Sequence, residues 1–148
     1  MQRFQIMAAL LLLGMTALSI QPVLASRKAV QDRLRQMQAE TRLEHELDRM
    51  RGAATRLVDL LSQEKYADAS REFEATAQFK FAPNTLKQIW QGAIARSGRF
   101  KRHTEARMEV ETSGRVAIVP CEFETATVDV TIAFDAQHRI TGLQIPRP

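Results

Sequence analysis

The sequence predicts an α+β fold in which N-terminal helices cover one face of a four-stranded antiparallel sheet. Three observations predict it. Apolar residues recur at the helical period up to Gly98 and at a period of two after it. Turn signals cut the second half into successive strands. Three turns, placed independently, assemble one continuous apolar face.

The N-terminus comes first. Arg3 precedes an apolar run from Ile6 to Ile20 that is broken only by Gly14, Thr16 and Ser19. The stretch "QPVLAS" follows, with Val23 and Ala25 at the small-residue positions that a signal peptidase reads. Residues 1–25 therefore read as a signal peptide cleaved after Ala25, which implies an exported protein, periplasmic or secreted and bacterial in pattern. The run is about fifteen residues, short of the ~20 that span a bilayer. Membrane contact is expected only if this segment stays uncleaved. Cleavage leaves 123 of the 148 residues, enough for one domain and an extension. Arg3 is the only charge removed, so 20 basic side chains face 17 acidic ones. An excess of three outside the cytosol excludes no acidic surface, yet it gives no footprint for nucleic acid.

Residues 26–51 contain no glycine or proline and many helix formers. Residues 27–50 read as a charged, exposed helix leading into a domain over 52–148. Leu43, Leu47, Met50, Ala54, Leu57 and Leu61 are spaced 4, 3, 4, 3, 4 and form one stripe. Val30, Leu34 and Met37 are out of phase with it, which argues against one long continuous coiled coil. His45-Glu46 opens no zinc motif, because position 49 is Arg. Three helical segments follow: "AATRLVDLLSQEKY" to about Tyr66, "ADASREFEATAQF" to about Phe79, and "PNTLKQIWQGAIARSG". In the last, Pro83 disfavours helix before it and Asn84 is the expected cap. Leu86, Ile89, Trp90, Ala93 and Ile94 make its apolar face, and Gly98 stops it.

From Phe100 the pattern alternates, with Arg102, Thr104, Ala106, Met108 and Val110 on the side of Phe100. Ser113-Gly114 is a hairpin signal. Residues 115–124, 127–134 and 139–145 are the next three strands. The turns set Met108 against Val119 and Ala106 against Cys121. They set Cys121 against Val130, and Val130 against Leu143. The strands form a meander. Pro120 lacks an amide donor in a strand paired on both sides, so a bulge is expected there.

Two stretches resemble a known family. "LKQIWQGAIARSGRF" (86–100) resembles the helix and strand start, and "VTIAFDAQHRITGLQI" (130–145) the last hairpin, of the bacterial family called domain of unknown function 3887. "RLVDLLSQEKYADASREF" looks like its opening helix pair. The resemblance covers residues 53–146, with His138 where the family's turn would carry glycine. It implies a curved sheet with helices in its concave side, the nuclear transport factor 2-like cone, and it carries no catalytic residues. Some members are joined to an α/β-hydrolase, but no Gly-x-Ser-x-Gly is present here.

The residues that could carry chemistry are few. Cys121 is the only cysteine and falls on the apolar face, so it reads as an inert buried thiol. The register sets Glu105, Glu122 and Asp129 in a row on the other face, with His103 and Arg107 beside them. Such a row could hold a hard cation, but a solvated face compensated by basic neighbours is the expected state, so no metal is assigned. "RSGRFKRH" reads as an exposed basic corner. A ligand pocket inside the cone would be lined by Trp90, Thr104, Met108, Cys121, Phe123, Val130 and Leu143. It contains no acid–base pair. The expected function is a non-catalytic binding or interaction module without a cofactor. Its expected partners are a small apolar ligand and a homodimer formed through a sheet face. The alternative is a small cone-fold enzyme of lyase or isomerase type.

Overall fold

The computed structural model describes residues 21–146, with side chains from Leu24 onward. Residues 1–20, most of the segment read as an export signal, lie outside them. Among the described residues no helix is long and apolar enough to cross a membrane. The chain divides into two compact units, Met1–Leu43 and Glu44–Pro148. The described part of the first is helix, exposed from Leu24 to Leu43. The second unit opens on the C-terminal part of the same helix.

That helix, α1, runs Gln21–Ser62. Its expected stripe goes inward from Leu47: Met50, Ala54, Leu57 and Leu61 are buried and Leu47 partly so, whereas Leu43, the first member expected, is exposed. It stops earlier than Tyr66. Glu64 takes φ 59°, Lys65 N–H donates to Leu60 O at 2.9 Å and Glu64 N–H to Leu61 O at 3.1 Å. This is a Schellman ending, with a residue other than glycine in the left-handed position.

The second expected helix is two. Helix α2 is Tyr66–Arg71 and α3 is Ala75–Lys80. Between them Phe73 makes a parallel bridge to Ile140 and Glu74 N–H donates to Ile140 O at 2.7 Å. The Glu74 carboxylate then caps α3, accepting from Thr76 N at 3.0 Å and Ala77 N at 3.3 Å, and from the Thr76 hydroxyl. Helix α4 is Pro83–Ser97. Asn84 is not its cap. Ala82 holds that position, and Pro83 takes the first helical position, where its missing amide costs no bond. Gly98, at φ 81°, ends α4 as expected.

The sheet is antiparallel, curved and unclosed. Its strands are β1 (Phe100–His103), β2 (Arg107–Glu111), β3 (Gly114–Phe123), β4 (Thr127–Phe134) and β5 (Ile140–Gln144). The order is β1-β3-β4-β5, with β2 also paired to β3. The single first strand expected from the alternation is thus two, lying end to end along one edge.

The meander stands, but the β2–β3, β3–β4 and β4–β5 registers are displaced by two residues, and Cys121 faces His103 of β1 rather than Ala106. Met108 faces Ala117 rather than Val119. Cys121 faces Val128 rather than Val130. Leu143 faces Ile132 rather than Val130. A slip of two returns every side chain to its original face, so hydrophobicity alone does not resist it. Ala117, Val119, Cys121, Val130 and Ile132 are fully buried on the inner face as expected. There they share one core with Leu57, Leu86, Trp90 and Ala93 of the helices.

Two irregularities lie in the first hairpin. Phe100 faces Phe123, but Arg102 faces Glu122. An extra residue here flips the parity, moving Arg102 off the apolar row and turning His103 inward beside Cys121. The second lies across from Pro120. Three residues, Thr104, Glu105 and Ala106, span what Val119 and Pro120 span on β3. The bulge expected at Pro120 thus forms on its partner strand. Pro120 still serves as an acceptor there, with Thr104 N–H donating to its carbonyl at 2.9 Å.

The β4–β5 turn is built on Asp135, whose carboxylate accepts from Gln137 N and Arg139 N, each at 2.9 Å, and from Arg139 Nε at 2.8 Å. His138 adopts φ 62°, the conformation that a glycine would take most easily. Its Nε2 lies 3.8 Å from the Glu46 carboxylate, joining the turn to α1.

Candidate functional site

The interior expected to hold a ligand is occupied by the protein's own rings. Trp90 of α4 lies 5.5 Å from Phe100 and 5.7 Å from Phe123, and the two phenylalanines meet edge-on at 5.7 Å. Such tilted pairs add roughly 0.5–1.5 kcal/mol each beyond the area that they bury. Cys121 and Val130 are fully buried beside them, while Met108 and Leu143 are half-buried and Thr104 is exposed. The seven residues do not line a common cavity: Trp90, Cys121, Phe123 and Val130 are core, and Leu143 alone borders a cleft described below. Burial pushes the Cys121 thiol up to about 12, with the charges of Asp129 and Asp59 adding to the rise. Its S–H donates to Val119 O at 3.5 Å. A thiol in this state is neither nucleophile nor metal ligand at neutral pH.

One polar pair at the inner margin was not legible in the sequence. His103 Nε2 lies 2.9 Å from Asp59 Oδ1, and Nδ1 lies 3.3 Å from Thr104 O. The bulge after Phe100 turns His103 inward, and Asp59 sits at the border of the α1 stripe between Val58 and Leu60. The pair fastens α1 to the sheet edge and leaves the histidine half-buried. A neighbour of buried residues that is itself acidic was the available signal.

On the outer face the acid row does not form. Glu105 lies in the bulge, Glu122 faces Thr127 across β4, and Asp129 faces Pro120. Each of the last two acids has an arginine instead. Arg102 donates to Glu122 through Nε at 2.7 Å and NH2 at 3.0 Å, a two-pronged contact. Arg107 reaches Asp129 at 3.5 Å. Nearby, Arg99 gives its backbone N–H and its Nε to Glu124 at 3.0 and 3.2 Å. The Arg102 hydrogen bonds hold the Glu122 carboxyl below its usual range, and the Arg99 amide does the same for Glu124. Among the described residues no cluster of three or more His, Cys, Asp or Glu could hold a metal ion.

Open space lies elsewhere. A cleft of about 360 Å³ is bordered by the end of α3 and by the outer sheet face. Val116, Ala133 and Gly142 form one cross-strand row in its floor, and Thr131 and Gln144 form the next. The row is low because its members are small. A Cβ on Gly142 would come within 3.2 Å of that of Ala133. Lys80, Glu111 and Ser113 supply polar groups at the rim, and Phe81 a buried aromatic wall. A second cleft, about 280 Å³, runs along α4 past Gln88, Gly92 and Arg96. The first combines an apolar floor with a few polar groups, the usual make-up of a small-molecule site.

The family model described as "Protein of unknown function (DUF3887)" matches residues 54–143. No curated protein matches the chain, and no solved structure does. The matched span begins on the buried stripe of α1 and ends in β5, so it contains all four helices in part or whole, all five strands and most of the core, with Met50 just outside it. On that match, which covers more than half of its length, the chain belongs to this family of proteins of unknown function.

Proposed function

We propose that the chain is an exported, non-catalytic binding module whose outer-face cleft takes a small apolar ligand. The observation that carries this reading is where the free volume lies. The inner space is filled by Trp90, Phe100 and Phe123, whereas about 360 Å³ stands open over Val116, Ala133 and Gly142. That volume is within the range of small-molecule sites, roughly 300–1,000 Å³. Glu122 and Asp129 on the outer face are tied into arginine–carboxylate pairs, a poor starting point for acid–base chemistry. The architecture is read as a nuclear transport factor 2-like cone whose interior has been packed.

The test uses a neutral apolar fluorophore, N-phenyl-1-naphthylamine. Its emission should rise on binding to the wild type, and the rise should be lost in Gly142→Val and in Ala133→Leu, which fill the cleft floor. Melting curves show whether each variant is folded. Equal binding by both folded variants would remove the cleft from consideration.

The second reading, a small enzyme of lyase or isomerase type, rests on the 2.9 Å His103–Asp59 pair. In the same experiment His103→Asn should bind the fluorophore as the wild type does. Loss of binding there would move the site to that pair. Export is tested separately: chain recovered from a secreting host should begin at Ser26, and an intact Met1 in the membrane fraction would contradict it.

A further inference from the structure

The first unit carries a feature that the binding module does not use. Val30, Leu34 and Met37 are 59%, 52% and 57% exposed. Their spacing of four and three places them in one row along α1, a seam at the coiled-coil period. In a solitary helix such a row stays in water, whereas most helical stability in proteins comes from packing an apolar face against a partner.

We propose that this row is the seam of an antiparallel pair formed with the same helix of a second copy of the chain. Charge complementarity fixes both the partner and the direction. When two copies run antiparallel, Leu34 of each meets Met37 of the other, and Val30 meets Thr41. That alignment brings Arg33 of one copy beside Glu40 of the other on one flank. The twofold axis repeats the contact, giving two opposite-charge pairs. On the other flank Gln31 meets Gln38, so no like charges face each other. Among the described residues, neither Arg33 nor Glu40 is engaged in an ion pair within its own chain.

The parallel arrangement is worse on each count. Its symmetry sets Arg27, which lies in the seam row, against its own copy. Arg33 then opposes Gln38, and both attractive pairs are lost. A membrane surface is also a poorer match. A helix that lies on lipid needs a broad apolar face flanked by basic residues, and here the seam is a single row of three apolar residues with flanks of mixed charge.

The seam is short, so the pair should be a weak one that dissociates on dilution. Sedimentation velocity on the full chain over a dilution series reads it directly. Arg33→Glu and Glu40→Arg each turn two attractive contacts into repulsive ones. Each should weaken self-association about tenfold, and the double variant R33E/E40R should restore it. For orientation, a Val30→Cys chain is mixed with a Thr41→Cys chain under air oxidation. A disulfide should join the two variants to each other and neither to itself. The native Cys121 is buried and does not compete. A chain that stays monomeric at every concentration overturns the proposal, as does a charge swap that fails to restore association. A Val30→Cys chain that links to itself would mean a parallel pair. Wild type that remains monomeric yet binds vesicles of anionic phosphatidylglycerol would assign the helix to a membrane surface instead.

Discussion

The two faces of the sheet obey different rules. On the inner face Ala117, Val119, Cys121, Val130 and Ile132 are buried to the last atom, and what matters there is that each is apolar and fits. On the outer face Glu122, Asp129 and Glu124 stand in water, and what matters is which arginine each one meets. A register displaced by two residues leaves the first face unchanged and rebuilds the second entirely. Burial is therefore a property of residue type and parity, whereas ion pairing is a property of the particular alignment. Burial read from alternation alone holds for these inner-face residues, whereas contacts read from it on the outer face do not.

The comparison breaks most readily at Trp90. If the inner face is a filled core, Trp90→Ala should cost about 3–5 kcal/mol by urea denaturation, because the cavity between Phe100 and Phe123 cannot close. A cost below about 1 kcal/mol would mean that the interior is loosely packed and could admit a ligand after all.

Cys121 gives the next largest effect. Cys121→Ser places a hydroxyl where only the Val119 carbonyl is at hand, and should cost about 1–3 kcal/mol. In the native wild type the thiol should resist alkylation, and it should react at once in denaturant. Rapid labelling of folded protein would place it at a surface and dissolve the distinction between the faces.

Acid titration sharpens the comparison at a turn. Burial alone would raise the Asp135 carboxyl, but hydrogen bonds from Arg139 and Gln137 outweigh it and hold the group below its ordinary value. A carboxyl whose folded pKa is depressed contributes stability that is present above its unfolded pKa. That contribution is lost as pH falls through the folded pKa. Below about pH 4 the melting temperature of the wild type should therefore fall more steeply than that of Asp135→Asn. Equal slopes would show that the turn does not depend on the charge.

The smallest effect belongs to the outer face. Glu122→Gln keeps the shape of the side chain and removes its charge beside an exposed arginine, so the denaturation midpoint should barely move. Neither calcium nor manganese should raise the melting temperature of the wild type, since the acids that would have formed a row face Thr127, Pro120 and solvent. A stabilisation by either ion that vanishes in Glu122→Gln would restore the row.

These contrasts explain what was legible in the sequence. The helical stripe from Leu47 to Leu61, the stop at Gly98, the antiparallel meander and the inner-face residues all follow from periodicity, which counts residues along one strand or helix at a time. What escaped depends on two segments at once. The bulge after Phe100 costs one residue and reverses the parity as far as the second bulge, which restores it before Met108, so Arg102 and His103 exchanged faces. With that exchange went the Arg102–Glu122 contact and the His103–Asp59 contact, 20 and 44 residues apart in sequence. The break at Phe73 escaped for a similar reason: the helix yields there to a bridge with Ile140, which lies far along the chain. The cleft floor was hidden because Ala133 and Gly142 are unremarkable singly and become a floor only when paired.

The divided first strand also bears on solubility. A sheet that does not close has two borders, and an unpaired row of amides and carbonyls is a template on which another chain can add a strand. Here one border is made of β1 and β2, four and five residues long, with the three residues of the Pro120 bulge between them. The other is β5, five residues long, whose first residue already accepts the amide of Glu74. An incoming strand would find a straight run of at most five residues on either side, and short edge strands and bulges are two of the devices by which sheets blunt such pairing. The irregularity across from Pro120 thereby keeps one rim of the sheet in two short pieces.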